Sequence, residues 1–340
     1  PGDHFDPHVD GDLAVYSTAI DTLATLTQEI RYYRFSTGTD LAIPNALPGG
    51  GTANDLLSDV DQGRIVFTRV AANHTGIMLF DTATGTLSEL APSSVAPSNR
   101  IGAAIGEQTV AFVDYGLAGD GSGEIVVLDL TTSQLHRLTT DNVYDANPDV
   151  SSGGDVVTWE RCVTPGNCDI QSATRSGNGW TVRSISSSGL DEHSPGTDGG
   201  LVAFSRFDLS AATGSDIVLA PAAGGAEVVL EIPGEQYNPS IRGPIVAFEG
   251  RVVPTHASDI YLVDLRTNLV FQVTQTIDVT ESLNDVSVLP TGEVRLVWQA
   301  HDQPDVTRAS IYATTVSLAG LPPCRPIIQV EPLYIPPGAC

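Results

Sequence analysis

Near the start of the chain, His4, Asp6 and His8 stand two apart in HFDPHVDGDLAVYS, residues 4–17. On an extended strand alternate side chains share a face, so these three donors can converge on one ion. Imidazole with carboxylate suits Zn²⁺ or Mn²⁺, and an oxygen-rich set suits Ca²⁺ or Mg²⁺. The same stretch also reads as the first copy of a structural repeat. The elements that carry it decide what its side chains face.

DLAVYS (12–17) recurs as RIVFTR (64–69), TVAFVD (109–114), VVTWER (156–161), LVAFSR (201–206), IVAFEG (245–250) and RLVWQA (295–300). The aromatics Tyr16, Phe67, Phe112, Trp159, Phe204, Phe248 and Trp298 lie 44 to 51 residues apart. A fixed period of this size means a solenoid, propeller or array. A strand near [DNS]-P precedes the aromatic strand in DPHV, NPDV, SPGT and NPSI. A third strand (EIVVLDL, DIVLAPA, DIYLVDL) and then a fourth (LHRLTT, EVVLEI, VFQVTQ) follow. The runs are short, rich in β-branched residues and bounded by Gly, Asp, Asn or Pro. Four antiparallel strands per repeat of about 45 residues make one blade of a β-propeller. The expected fold is therefore all-β, a seven-bladed propeller. Its blades fall near 4–46, 47–92, 93–140, 141–188, 189–234, 235–277 and 278–320, and a Pro-rich tail, 321–340, is available as the outer strand of the last blade. The seven aromatics are expected to pack between neighbouring blades. Closure of the ring is expected to rest on packing of the first blade against the last.

NPDVSSGGDVVTWE, NPSIRGPIVAFE and SDIYLVDLRTNLVFQVT resemble the TolB-like propellers, a group that includes the propeller of the prolyl oligopeptidases. The resemblance covers nearly all of residues 4–318. It implies the fold, and it spans binding proteins, peptidase gates and lyases. No hydrolase domain and no TolB-type α/β domain accompanies the repeats, so it implies neither peptidase activity nor the partners of TolB. Copies two and three lack the [DNS]-P proline, with SDV and AAI in its place.

Aligning the copies on their aromatics places His4, Asp55, Arg100, Asp145, Glu192, Gln236 and about Ser282 at equivalent starts of the innermost strands. His193 stands beside this set, with Asp6 and Asn147 just deeper. Such starts meet at one mouth of a propeller channel. His4, Asp6, Asp55, Arg100, Asp145, Asn147, Glu192, His193 and Gln236 are thus the candidate ligand-binding residues. Converging carboxylates repel one another, and a cation would relieve this. His4, Asp6, Asp145, Glu192 and His193 are the candidate metal ligands, with Ca²⁺ the expected ion and a hydrated, ion-free channel the plainer alternative. DYGLAGDGSGE (114–124) lacks EF-hand spacing and reads as a hairpin loop. Arg69, Arg161 and Arg206, two residues beyond their aromatics, are expected to pair across strands with carboxylates such as Asp169 and Asp216.

The chain of 340 residues carries a net charge of −25, and all its basic residues are Arg. Such a surface repels nucleic acid. No apolar run is long enough to span a membrane. The four cysteines form two local pairs, Cys162 with Cys168 and Cys324 with Cys340, expected as disulfides in an extracellular or periplasmic compartment. The chain begins at Pro1, consistent with a removed leader. No G-x-S-x-G motif or assignable Ser–His–Asp set is present. The residues therefore point to a monomeric binding or scaffolding module for a protein, a small polar ligand or a carbohydrate. The alternative is a metal-assisted hydrolase or lyase acting on a polysaccharide.

Overall fold

A computed structural model describes the chain except residues 1–2, 20–26, 48–49, 73, 93–98, 118–120, 187, 209–213, 231, 252–256, 277–278, 303–308, 321–324, 327, 330–332 and 335–340. Seven antiparallel sheets follow one another along the chain as the blades of a ring. Their inner strands are His4–Asp10, Asn54–Asp61, Arg100–Gly106, Tyr144–Val150, Asp191–Asp198, Glu235–Arg242 and Val279–Val288. Blades one to six carry four strands in simple meander order, and blade seven shows three among the described residues, ending at Ala309–Val316.

All seven repeat aromatics are buried. Phe67, Phe112, Trp159, Phe204, Phe248 and Trp298 each sit in an apolar cluster shared with the preceding blade. The alternation of the second strand explains this. Leu13 and Val15 face blade two, while Ala14 and Tyr16 turn toward blade seven.

Each inner strand carries a β-bulge at one equivalent place. Asp6, Leu57, Gly102, Asn147, Ser194, Asn238 and Leu283 all adopt positive φ there, between 46° and 62°. The [DNS]-P signal thus marks a bulge inside the strand, since Asp and Asn tolerate this backbone better than most side chains. The bulge leaves an N–H that the ladder does not use. In five blades, the residue after the aromatic of the preceding blade accepts it: Gln299 from Asp6 (3.3 Å), Thr68 from Gly102 (3.0 Å), Glu160 from Ser194 (2.7 Å), Ser205 from Asn238 (3.1 Å) and Glu249 from Leu283 (2.7 Å). A backbone irregularity therefore becomes a polar rivet between blades.

Among the described residues, blades one and seven share no strand. They meet through a small cluster of Val9, Ala14 and Val297 and through hydrogen bonds. Asp285 accepts from Val9 N (2.7 Å), Ser287 Oγ from Gly11 N (3.0 Å), and Arg295 donates to Gly11 O (2.5 Å). The tail departs from expectation. Arg325–Pro326 pairs with the outer strand of blade six, and Ile328–Gln329 pairs with Leu333–Tyr334. Neither pair extends blade seven.

Candidate functional site

The residues expected at the channel mouth do not form one lumenal ring, because the bulge changes which side chains face the axis. Two residues before the bulge, the side chains turn between the strands of their own blade. Asp55 is buried and takes Arg69 through Nε (2.8 Å) and Nη2 (2.7 Å). Asp145 accepts from Trp159 Nε1 (2.9 Å) and Arg161 Nη1 (3.4 Å), and burial lifts its carboxyl to about 6. Glu192 takes Arg206 Nε (2.8 Å), Ser188 Oγ (2.7 Å) and Ser186. In blade three the polarity is inverted, with Arg100 on the inner strand donating to buried Asp114 at 2.7 Å. Gln236 donates to the carbonyls of Ile232 (2.9 Å) and Gly234 (2.7 Å). Glu281, not Ser282, is the equivalent residue of blade seven, bonded to Thr274. The cross-strand arginine pairs do form, with these inner-strand acids as partners.

Only Asp6 and Asn147 of the expected set line the central channel, a cavity of about 350 Å³. The lumenal residues lie two beyond the bulge: His8, Asp59, Asp149 and Asp285, with Ser240 completing the polar set. The residue after the proline in DPH, NPD and NPS was the available signal for them. His8 Nδ1 lies 3.6 Å from Asp59 and 3.9 Å from Asp285, and Nε2 lies 3.7 Å from Asp6. Burial alone would lower its pKa, but Asp6, Asp59 and Asp285 together raise it to about 10. Burial lifts Asp59 to about 6 and Asp149 to about 7. These carboxylates also staple blades. Asp59 accepts from Ile105 N (2.7 Å) and Asp149 from Thr197 N (2.6 Å), as Asp285 does from Val9 N. The channel polar groups are largely consumed in holding the ring.

Two other places keep chemistry at the surface. The first is a cleft between blades one and seven, with a cavity of about 600 Å³, lined by His4, Tyr16, Tyr33, Phe35 and Tyr312 among others. His4 stands edge-on to Tyr16 and hydrogen-bonds Thr18 Oγ1 at 2.8 Å, and burial lowers its pKa. Tyr16 donates to Asp40 at 2.8 Å. Tyr312 is 42% exposed and stacks on Trp298.

The second place holds His193, whose Nε2 lies 3.0 Å from Asp191 and Nδ1 3.4 Å from Glu160. The bond to Glu160 raises its pKa to about 9 against the effect of burial, with Asp191 adding to the rise. Cys168 lies against Asp191 and His193, close enough for three donors to face one ion. Its sulfur, however, is bonded to Cys162 in the expected disulfide at the Pro165–Gly166 hairpin tip. His4, Asp6, Asp145, Glu192 and His193 are thus not brought around one ion. Cys324 and Cys340 lie outside the described residues. In the 114–124 loop, Asp114 and Glu124 are engaged by Arg100 and Thr139, and Asp120 is outside the described residues.

No family model matches the chain, and no curated protein matches it. Solved structures do. The β-propeller domain of the Trilobed protease from Pyrococcus furiosus, described as having an open velcro topology, superposes with a TM-score of 0.67 at 10% identity, covering 94% of this chain and 99% of that one. A puromycin-hydrolyzing peptidase from Mycobacterium tuberculosis gives 0.67 at 14% identity, over 97% of this chain and 53% of the peptidase. An oligogalacturonate lyase from Vibrio parahaemolyticus gives 0.63 at 11% identity, over 93% and 90%, and an oligogalacturonate lyase has also been solved in complex with manganese. These likenesses show the β-propeller fold. No helix of the described residues is long and apolar enough to cross a membrane.

Proposed function

We propose that the chain is an extracytoplasmic binding propeller that takes its ligand in the cleft between blades one and seven. The observation that carries this reading is the contrast between the two cavities. The channel groups are engaged in bonds between blades, whereas the seam cleft is larger, aromatic and open beside an exposed Tyr312. Aromatic faces from Tyr33, Phe35 and Tyr312, with polar atoms on His4 and Tyr16, suit a ligand with apolar faces and a hydroxylated rim. A saccharide has that chemistry. The Cys162–Cys168 disulfide supports the oxidising compartment.

Calorimetric titration with neutral and uronic oligosaccharides tests the reading. Binding that Tyr312→Ala removes, with the melting temperature unchanged, supports it. Binding indifferent to Tyr312→Ala places the ligand elsewhere and contradicts it. A metal-assisted lyase is the second reading, favoured by the His193–Asp191–Glu160 group and by the likeness to oligogalacturonate lyases. The divalent cation expected at the channel mouth is compatible with either reading. Oligogalacturonate incubated with the protein and Mn²⁺ separates the two: ultraviolet absorbance of an unsaturated product grows for a lyase and stays flat for a binding module.

A further inference from the structure

The Cys162–Cys168 bond sits against groups that have the form of a half-built metal centre. Cys168 Sγ, a carboxylate oxygen of Asp191 and a ring nitrogen of His193 lie within 4.8 Å of one another. Asp191 is fixed by its own bond from Cys168 N, at 2.9 Å to Oδ1, and its Oδ2 lies 3.0 Å from His193 Nε2. His193 Nδ1 faces buried Glu160 at 3.4 Å, and the other oxygen of Glu160 is held by Ser194 N at 2.7 Å. A carboxylate behind one ring nitrogen, with the other nitrogen directed at donors, is the outer-sphere arrangement that orients zinc-binding imidazoles. Phe207 packs 5.7 Å from the His193 ring.

We propose that the disulfide masks a zinc site, opened when a dithiol reduces it. The dithiol attacks one sulfur, forms a mixed disulfide and closes on itself. It leaves as its own disulfide and transfers two electrons, so Cys162 and Cys168 become thiols. On binding Zn²⁺ each thiol releases one proton to solvent, and the protonated His193 releases the proton on Nε2 while keeping the one on Nδ1. The two thiolates, His193 Nε2 and Asp191 then form a four-donor set of the sulfur, nitrogen and oxygen type that zinc takes in tetrahedral geometry. While the disulfide stands, neither sulfur is a thiolate and the set is incomplete.

The fold favours such a switch. Residues 163–166 at the hairpin tip are exposed and Cys162 is half-buried, so a reductant reaches the bond. Cys162 and Cys168 face each other in register across paired strands, and Arg161 and Asp169 continue the ladder inward. The bond closes only a short loop, so its loss from the unfolded-state entropy is small, and the strands persist without it.

Cobalt, a spectroscopic stand-in for zinc, tests this on the full chain before and after reduction by a phosphine. The reduced protein is expected to take up Co²⁺ with a thiolate-to-metal charge-transfer band, which Zn²⁺ then bleaches. The oxidised protein is expected to show no band. His193→Asn should abolish it, which separates this site from Cys324 and Cys340. Glu160→Gln should weaken zinc binding by about 10–100-fold, as loss of an outer-sphere partner does. Cys162→Ser frees Cys168 and should bind without reductant, though less tightly. Circular dichroism follows the fold throughout. A reduced chain that unfolds, a band that survives His193→Asn, or equal binding by oxidised and reduced protein would each overturn the proposal.

Discussion

Six interfaces of the ring join blades that follow each other in the chain, and one joins its two ends. The interface between blades two and three packs Val66, Ile77, Phe112, Val126 and Leu128 into a continuous buried cluster. Among the described residues, the closing interface has only Val9, Ala14 and Val297 as its buried apolar core. Its polar rivets are of the same kind as elsewhere: Gln299 to the Asp6 bulge and Asp285 to Val9 N match Thr68 to Gly102 and Asp59 to Ile105. Hydrogen bonds give the seam its register, and the missing apolar area leaves the aromatic cleft. Net hydrogen bonds contribute about 0.5–1.5 kcal/mol each, whereas a buried large side chain contributes about 1.5–3 kcal/mol. The seam is therefore expected to be the weakest joint of the ring, and among the described residues it carries an aromatic cleft between blades.

The largest expected effects lie in the continuous interfaces. Phe204→Ala removes a fully buried ring and should cost about 3–5 kcal/mol in denaturant unfolding. Tyr16→Ala, at the equivalent place on the seam, should cost about 1–2 kcal/mol because its ring already borders a cavity. Equal losses would remove the distinction between the two kinds of interface. Arg100→Ala strands the buried Asp114 carboxylate and should cost about 3–5 kcal/mol. Exchanging the pair, Arg100→Asp with Asp114→Arg, reproduces the polarity of blades two, four and five and should recover most of that loss. A double variant as unstable as the single one would mean that the pair is not interchangeable between blades.

The repeat aromatics, their burial and the hairpin disulfide were legible because each depends on local pattern: strand alternation, period and a Pro-Gly turn. The site was less legible. Asp55, Asp145 and Glu192 were correctly aligned with one another, yet alignment says nothing about which way a side chain points once a bulge intervenes. The inverted pair Arg100–Asp114 held the missing information. Where an acid became an arginine, the arginine two beyond the aromatic became an acid, which marks the two positions as partners. The seam cleft had no local signal, since residues near 4–16 and 310–313 meet only when the ring closes.

Smaller effects follow from pH. Asp59 at about 6 and Asp149 at about 7 lie above their unfolded values. The folded state therefore binds more protons between about pH 4 and 7, and stability falls as pH rises through that window. His8, raised to about 10, contributes stability that is present below about 6.5 and lost as pH rises through 10. Melting temperature should thus decline from pH 5 to pH 10, and Asp149→Asn should flatten the lower part of that decline. A melting temperature that rises across the range would contradict the assignment of these groups to the channel. The smallest effect concerns Leu57, a leucine at φ 53° where three other copies place Asp6, Asn147 or Asn238. Leu57→Asn should stabilise by about 0.5–1 kcal/mol by relieving left-handed strain.

Native-state hydrogen exchange, resolved by blade, addresses the seam most directly. It reads the free energy of local opening for each cooperative unit. The account predicts that amides of strands Leu13–Ala19 and Val294–Asp302 exchange through an opening of lower free energy than those of Thr109–Asp114 and Leu201–Asp208. It also predicts that Asp285→Ala widens the gap. Uniform protection around all seven blades, unchanged by Asp285→Ala, would contradict it.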